Sequence, residues 1–228
     1  MRPKRGEAGL TAEQIKAAAR RQMAEQGTAG VSLRGIGREL GVTAPAIYNY
    51  FSRLDDLITE LIMDAFNHLS AALRAAEQAQ AGAPVARRLL AVLLAYRAWA
   101  VQQPEEFALI FGTPIPGYHA PTERTQPAAQ GVFTVILALL AEAHAQHQLC
   151  LPHGQPDLPA ELEIRLPGDA PPLPPTVLYI GMAGWYRIHG LLMLELFGHT
   201  RQMILQPEVY YEYECRNLLQ TFGLDRSI

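Results

Sequence analysis

Residues 31–51, VSLRGIGRELGVTAPAIYNYF, confine the chain more tightly than any other stretch, because they demand two short helices with almost nothing between them. Ser32 is of the type that caps a helix N-terminus. Leu33, Ile36, Gly37 and Leu40 then make an apolar or small face at helical spacing before Gly41 ends the helix. Helix restarts at once. Thr43 is placed to cap it, Pro45 falls in the first turn, where no N–H is needed, and Ile47, Tyr50 and Phe51 give the inward stripe. Two helices set at an angle by so short a turn make a helix-turn-helix. In such a unit the second helix presents its N-terminal residues to base edges in the DNA major groove, while the first crosses the backbone.

The charge distribution agrees with that reading. Residues 1–53 hold nine basic side chains against four acidic ones, Glu7, Glu13, Glu25 and Glu39, whereas the remainder holds ten against eighteen. A formal net charge of −3 therefore hides a basic head on an acidic body, the distribution expected when one end meets phosphates. Arg2, Lys4 and Arg5 form a short basic arm, which either follows phosphates into a minor groove or is a solvated tail. Thr11 with Gln14 predicts a capping box. Ile15, Ala18, Ala19 and Met23 then make one apolar stripe before Gly27, in a helix that braces the helix-turn-helix from behind. Arg20 and Arg21 on this helix either reach phosphate or face water.

Beyond the bare motif, residues 11–57 resemble the tetracycline-repressor (TetR) family of bacterial regulators. The resemblance is carried by Ile15, Ala18, Ala19, Met23, Gly27, Ile36, Gly41, Val42, Thr43, the YNYF of residues 48–51, and Leu57. Two positions depart from the family pattern: Gly37 stands where Ala is usual, and Leu54 where a Lys usually follows the YxYF motif, with Arg53 as the replacement charge. The resemblance implies phosphate contacts from Tyr48, Asn49 and Arg53. Base readout falls to Thr43, Ala44 and Ala46, whose small side chains suit thymine methyl groups, and Arg34 is a candidate for guanine or phosphate. Pro45 and Tyr50 complete the candidate DNA-binding set.

The remainder predicts an all-α chain, since no stretch alternates long enough to argue for a sheet. A long helix follows Ser52, with Asp55 and Asp56 in its first turn and Leu57, Leu61, Ala65, His68 and Ala72 on one face. Helices are also expected from about residue 85, from Pro104, over residues 128–148, from Pro175, and from Pro207 to Gly223. Residues 150–175 form a proline-rich loop. The expected organisation is a DNA-binding domain of residues 1–53 and a helical ligand-binding and dimerisation domain of residues 54–228. Two cysteines are too few for a disulfide framework, and the start of the chain has no apolar signal core, so a reducing cytoplasmic setting is expected. The longest apolar run, residues 132–143, falls short of the roughly 20 residues that span a bilayer, so no membrane segment is expected.

In the C-terminal part, GWYRIHG sets Trp185 and His189 four residues apart on one helix face, with Gly190 beside them to admit a neighbour. This resembles the TetR subgroup named for a Trp-His-Gly signature. The resemblance implies a small inducer in a cavity between helices and a four-helix dimer interface made by the last two helices. Tyr96, Trp99, Phe107, Phe111 and Met182 join Trp185 and His189 as candidate ligand-binding residues, suited to an uncharged or weakly polar ligand. A buried Trp with a hydrogen-bonded core His is the competing reading.

His144, His147, Cys150 and His153 recur at three-residue spacing. Without a paired thiolate they read as a polar helix end, and no metal or other cofactor is expected. Glu195, in the apolar run LLMLELFG, either pairs with a His or Arg inside the dimer interface or faces water. Phosphate-binding loops, GxSxG and HExxH are absent, so the chain is not expected to be an enzyme. The combined expectation is a homodimeric DNA-binding transcription regulator, a repressor released from its operator by a small molecule. The alternatives are a structural or cell-division DNA-binding protein of the same fold, or a metal-responsive regulator.

Overall fold

The computed structural model describes residues 9–150, 158, 159, 161 and 173–224. Among them the regular structure is all helical: α1 (Ala12–Gln26), a 3₁₀ turn (Thr28–Gly30), α2 (Leu33–Leu40), α3 (Ala44–Tyr48), α4 (Leu54–Gln78), α5 (Val85–Gln102), α6 (Pro104–Phe111), α7 (Thr122–Ala145), α8 (Pro175–Leu196) and α9 (Pro207–Thr221). The basic arm of Arg2, Lys4 and Arg5, most of the proline-rich loop, and His153 lie outside the described residues.

The chain divides into two compact units, and the division is not a single cut. One holds the chain up to Phe66 together with Gln103–Thr125; the other holds Asn67–Gln102 and the chain from Gln126 onward. Thus α4 and α7 each contribute to both, and α6 belongs with the first unit rather than with the C-terminal bundle.

In the first unit, local signals act where the sequence puts them. Thr11 accepts from Gln14 N while the Gln14 side chain accepts from Thr11 N, completing the capping box. Ser32 Oγ accepts from Gly35 N at 3.1 Å, and Gly41 ends α2 with φ 66°, a left-handed conformation that suits glycine. Ile15, Ala18, Ala19, Met23, Val31, Leu33, Ile36, Ile47, Phe51, Leu57 and Leu61 close into one core. Phe107 is also buried in this unit, and Phe111 meets Phe66 edge-on.

A charge cluster fastens the same unit from the side. Arg20 Nε donates to Glu106 on α6 at 2.9 Å and its Nη2 to Asp64 on α4 at 2.7 Å, while Lys16 Nζ lies 2.8 Å from Asp64. Arg21 pairs with Glu39 at 2.6 Å. Neither arginine of α1 is therefore a free phosphate ligand; carboxylates already hold both.

The second unit is a bundle of the end of α4, α5, most of α7, α8 and α9. Tyr211 on α9 is fully buried and donates its hydroxyl to Leu93 O at 3.0 Å. Ion pairs link the helices: Arg88 to Glu77 and Glu142, Arg97 to Glu195, and Arg187 to Glu214. Glu195 thus finds its Arg within the chain.

Several local expectations need correction. The buried stripe of α4 continues from Ala65 to Leu69 and Leu73, and His68 is exposed, because the apolar leucines outcompete an imidazole for the interior. Helix α7 starts six residues before the expected position and contains Pro127. Its first turn closes on Pro121 O, which accepts from both Arg124 N and Thr125 N. By length and composition α7 and α8 are apolar enough to cross a membrane. Both nevertheless bury residues within this bundle, among them Val132, Leu139, Val177, Ile180 and Leu192.

Candidate DNA-binding surface and candidate ligand cavity

Helix α3 is five residues long and presents its start to solvent. Thr43 occupies the N-cap position but makes no capping hydrogen bond, so its hydroxyl is not committed there. Thr43, Pro45, Tyr48, Asn49 and Tyr50 are exposed and Ala44 and Ala46 half-buried, while Ile47 is wholly buried and pins the helix to the core. Arg34 is exposed on α2, and so is Arg38, which the motif reading did not single out. Arg53 is exposed and paired with Asp55 at 2.8 Å.

Tyr50 differs from its neighbours. It was expected inside, yet its ring is about half exposed and its hydroxyl donates to Leu10 O. It ties the end of α3 to the chain just before α1. A surface that offers small side chains, hydroxyls and exposed arginines at a helix start can meet both base edges and phosphates.

The second unit contains an apolar cavity of about 80 Å³. Its walls come from α5 (Leu89, Leu93, Tyr96), α7 (Phe133, Ile136, Leu137, Leu140), α8 (Leu178, Ile180, Gly181, Met182, Gly184, Trp185, Ile188) and the C-terminal end of α9 (Leu219, Phe222). Of the candidate ligand residues, Tyr96, Met182 and Trp185 line it. Trp99 is buried outside this lining, and its indole Nε1 finds no hydrogen-bond partner among the described residues. Phe107 and Phe111 belong to the first unit, where they pack on each other.

His189 stands at the margin, with its Nδ1 2.7 Å from the Tyr96 hydroxyl. Its ring stacks on Trp185, centroids 4.5 Å apart and 12° between planes, and Tyr96 stacks on the same indole at 5.6 Å. Burial pushes the Tyr96 hydroxyl well above the ordinary tyrosine range, so it stays protonated. Burial also lowers the His189 pKa, which keeps the imidazole neutral and able to accept from that phenol. Among the described residues nothing approaches Gly190 closely: a Cβ there would meet no atom of them within 4 Å. The packing glycines of α8 are instead Gly181, against Leu140 and Leu137, and Gly184, against Leu218.

The α7 wall was legible only as helix core, because leucine, isoleucine and phenylalanine carry no mark that separates a cavity wall from a packed interior. No group of three His, Cys, Asp or Glu side chains converges among the described residues. His144 lies in the last turn of α7 and His147 just beyond it with a positive φ of 55°, while Cys150 donates its backbone N–H to Phe222 O.

A helix-turn-helix with an exposed second helix, followed by an all-helical unit, defines a helix-turn-helix DNA-binding protein. Residues 15–61 match the model of bacterial regulatory proteins of the tetR family, and residues 89–218 match the tetracyclin repressor-like C-terminal domain. HTH-type transcriptional regulators of Mycobacterium tuberculosis and Mycobacterium bovis are each 32% identical over 208 residues, covering 88% of this chain and 87% of theirs. The crystal structure of the regulatory protein SCO4313 is 35% identical, with a TM-score of 0.72 over 92% of this chain and 95% of that one. A Rhodococcus protein of unknown function shares the fold, with a TM-score of 0.73 at 20% identity over 97% of this chain and all of that one. The chain belongs to the TetR family and is a helix-turn-helix transcriptional regulator. Regulators of this family bind operator DNA and form homodimers.

Proposed function

We propose that this regulator is a cytoplasmic repressor without catalytic activity, released from its operator by a small apolar ligand held in the cavity of the second unit. The observation that carries the reading is that cavity: a bundle serving only as a scaffold or dimer handle gains nothing from an internal void, which forfeits packing contacts. A structural or cell-division role without an inducer is therefore the weaker account. At about 80 Å³ the void lies well below the roughly 300 Å³ of an ordinary ligand site, so a ligand of useful size must push the walls apart. Ligand and DNA then favour different arrangements of the same helices, and each weakens the other by the same factor.

Membership of the Trp-His-Gly subgroup is part of this reading, supported by Trp185, His189 and Gly190 in GWYRIHG. Dimerisation through α8 and α9 is supported by exposed apolar side chains along them, Tyr186, Leu194 and Phe197 on or after α8 and Val209, Tyr210 and Tyr213 on α9. In the DNA complex Thr43, Ala44, Pro45 and Ala46 face the bases, Tyr48, Asn49 and Arg53 the phosphates, and Arg34 either. Tyr50 contributes by holding α3 in place.

The test is selection of duplexes from a random pool, followed by titration of the selected palindrome at several salt concentrations. Affinity should fall steeply with salt, and Tyr48→Phe should weaken selected and unselected duplexes alike. An affinity indifferent to salt, or a Tyr48→Phe protein of full affinity, refutes the assignment of this surface.

A further inference from the structure

We infer that the ligand carries no charge: the cavity selects a neutral, hydrocarbon-like molecule and rejects carboxylates and ammonium ions of the same size. This rests on the reading above and names the ligand's chemical class. Among the described residues no lining side chain carries a charge, and the polar groups they bring are the Trp185 indole N–H, the weakly polar Met182 sulfur and the Tyr96 hydroxyl, which is bonded to His189 Nδ1 at 2.7 Å.

No wall residue among those described is an arginine, lysine, aspartate or glutamate. Three arginines of the surrounding helices are already matched to carboxylates: Arg88 lies between Glu77 and Glu142, Arg97 is bidentate on Glu195, and Arg187 bonds Glu214 through Nε at 2.9 Å, while Arg74 and Arg87 are exposed at the surface. An anionic ligand would have to break one of these pairs and leave its glutamate uncompensated, or be buried without a counter-ion. An ammonium would have to rely on aromatic faces alone, and Trp185 is already packed by Tyr96, His189 and Phe133. An apolar ligand meets none of these costs. It needs only that Leu, Ile and Met182 side chains change rotamer to enlarge the void.

The experiment uses the full chain and four probes that share an eight-carbon chain: octane, 1-octanol, octanoate and octylammonium, at pH 8 so that the last two are ionised. Binding is measured by calorimetry and by displacement of the selected operator. Two variants that fill the void from different walls, Leu137→Phe and Met182→Trp, report whether the site is this cavity. The expected result is that octane or 1-octanol binds at least tenfold more tightly than either ion, and that both filling variants abolish this binding. Equal binding of an ion and 1-octanol, binding that survives both fillings, or no binding by any probe overturns the inference. If 1-octanol binds in the cavity without weakening operator binding, the neutral selectivity stands and the proposal that this cavity controls DNA release falls.

Discussion

Glu106→Gln tests whether the charge cluster of the first unit holds α1, α4 and α6 together. The Glu106 side chain is only 3% exposed and accepts from Arg20 Nε at 2.9 Å, while the opposite end of that guanidinium stays on Asp64. Removing one partner of a buried pair costs roughly 3–5 kcal/mol when the surviving charge is left alone. Here Asp64 still compensates Arg20, although it must also serve Lys16 at 2.8 Å. The cost therefore falls to or just below the lower end of that range, about 2–3 kcal/mol. Replacing both partners, Arg20→Met with Glu106→Met, should cost much less, because no charge is then stranded. Both tryptophans, Trp99 and Trp185, lie in the second unit, so indole fluorescence does not follow this change. Hydrogen exchange of the α1 amides does. An opening free energy for α1 that changes by less than about 0.5 kcal/mol in Glu106→Gln, or a double variant as damaged as the single one, refutes the reasoning.

Other substitutions follow from the same contacts. His189→Leu should cost about 1–3 kcal/mol in urea denaturation, because it takes the imidazole acceptor away from the buried Tyr96 hydroxyl; adding Tyr96→Phe should recover most of the loss. Burial holds the His189 pKa below its ordinary value, so the unfolded chain takes up its proton first as pH falls. Stability linked to this residue is full above pH of about 6.5 and declines below it, a slope that the double variant should flatten. Gly37→Ala should stabilise the first unit by about 0.5–1 kcal/mol, since a Cβ there meets Val42 O at 3.4 Å and Ile47 Cγ1 at 3.6 Å, ordinary contacts. A destabilised Gly37→Ala protein in thermal melts would show that α2 needs the glycine. Cys150 is exposed, whereas burial pushes the Cys215 thiol up to about 12. A maleimide at pH 7 should therefore label one thiol in the folded protein and two in urea.

The helix-turn-helix was legible from the residues alone, caps included except at α3, where Thr43 makes no capping hydrogen bond. Thr11 with Gln14, Ser32, Gly27 and Gly41 act within three or four residues of themselves, so one strand of text contains all the partners such signals need. The same locality made the all-α class legible, together with most helix starts at Pro104, Pro175 and Pro207. Partners far apart in sequence were not legible. That Arg20 is spent on Asp64 and Glu106, that α6 joins the first unit, and that His189 meets Tyr96 are decided by separations of 44 to 93 residues, where the chain returns on itself. The cavity is the extreme case, since a wall and a packed core are written with the same leucines and phenylalanines. Only the way α5, α7, α8 and α9 meet leaves a space between them, because a void is a property of several surfaces at once and of no single one.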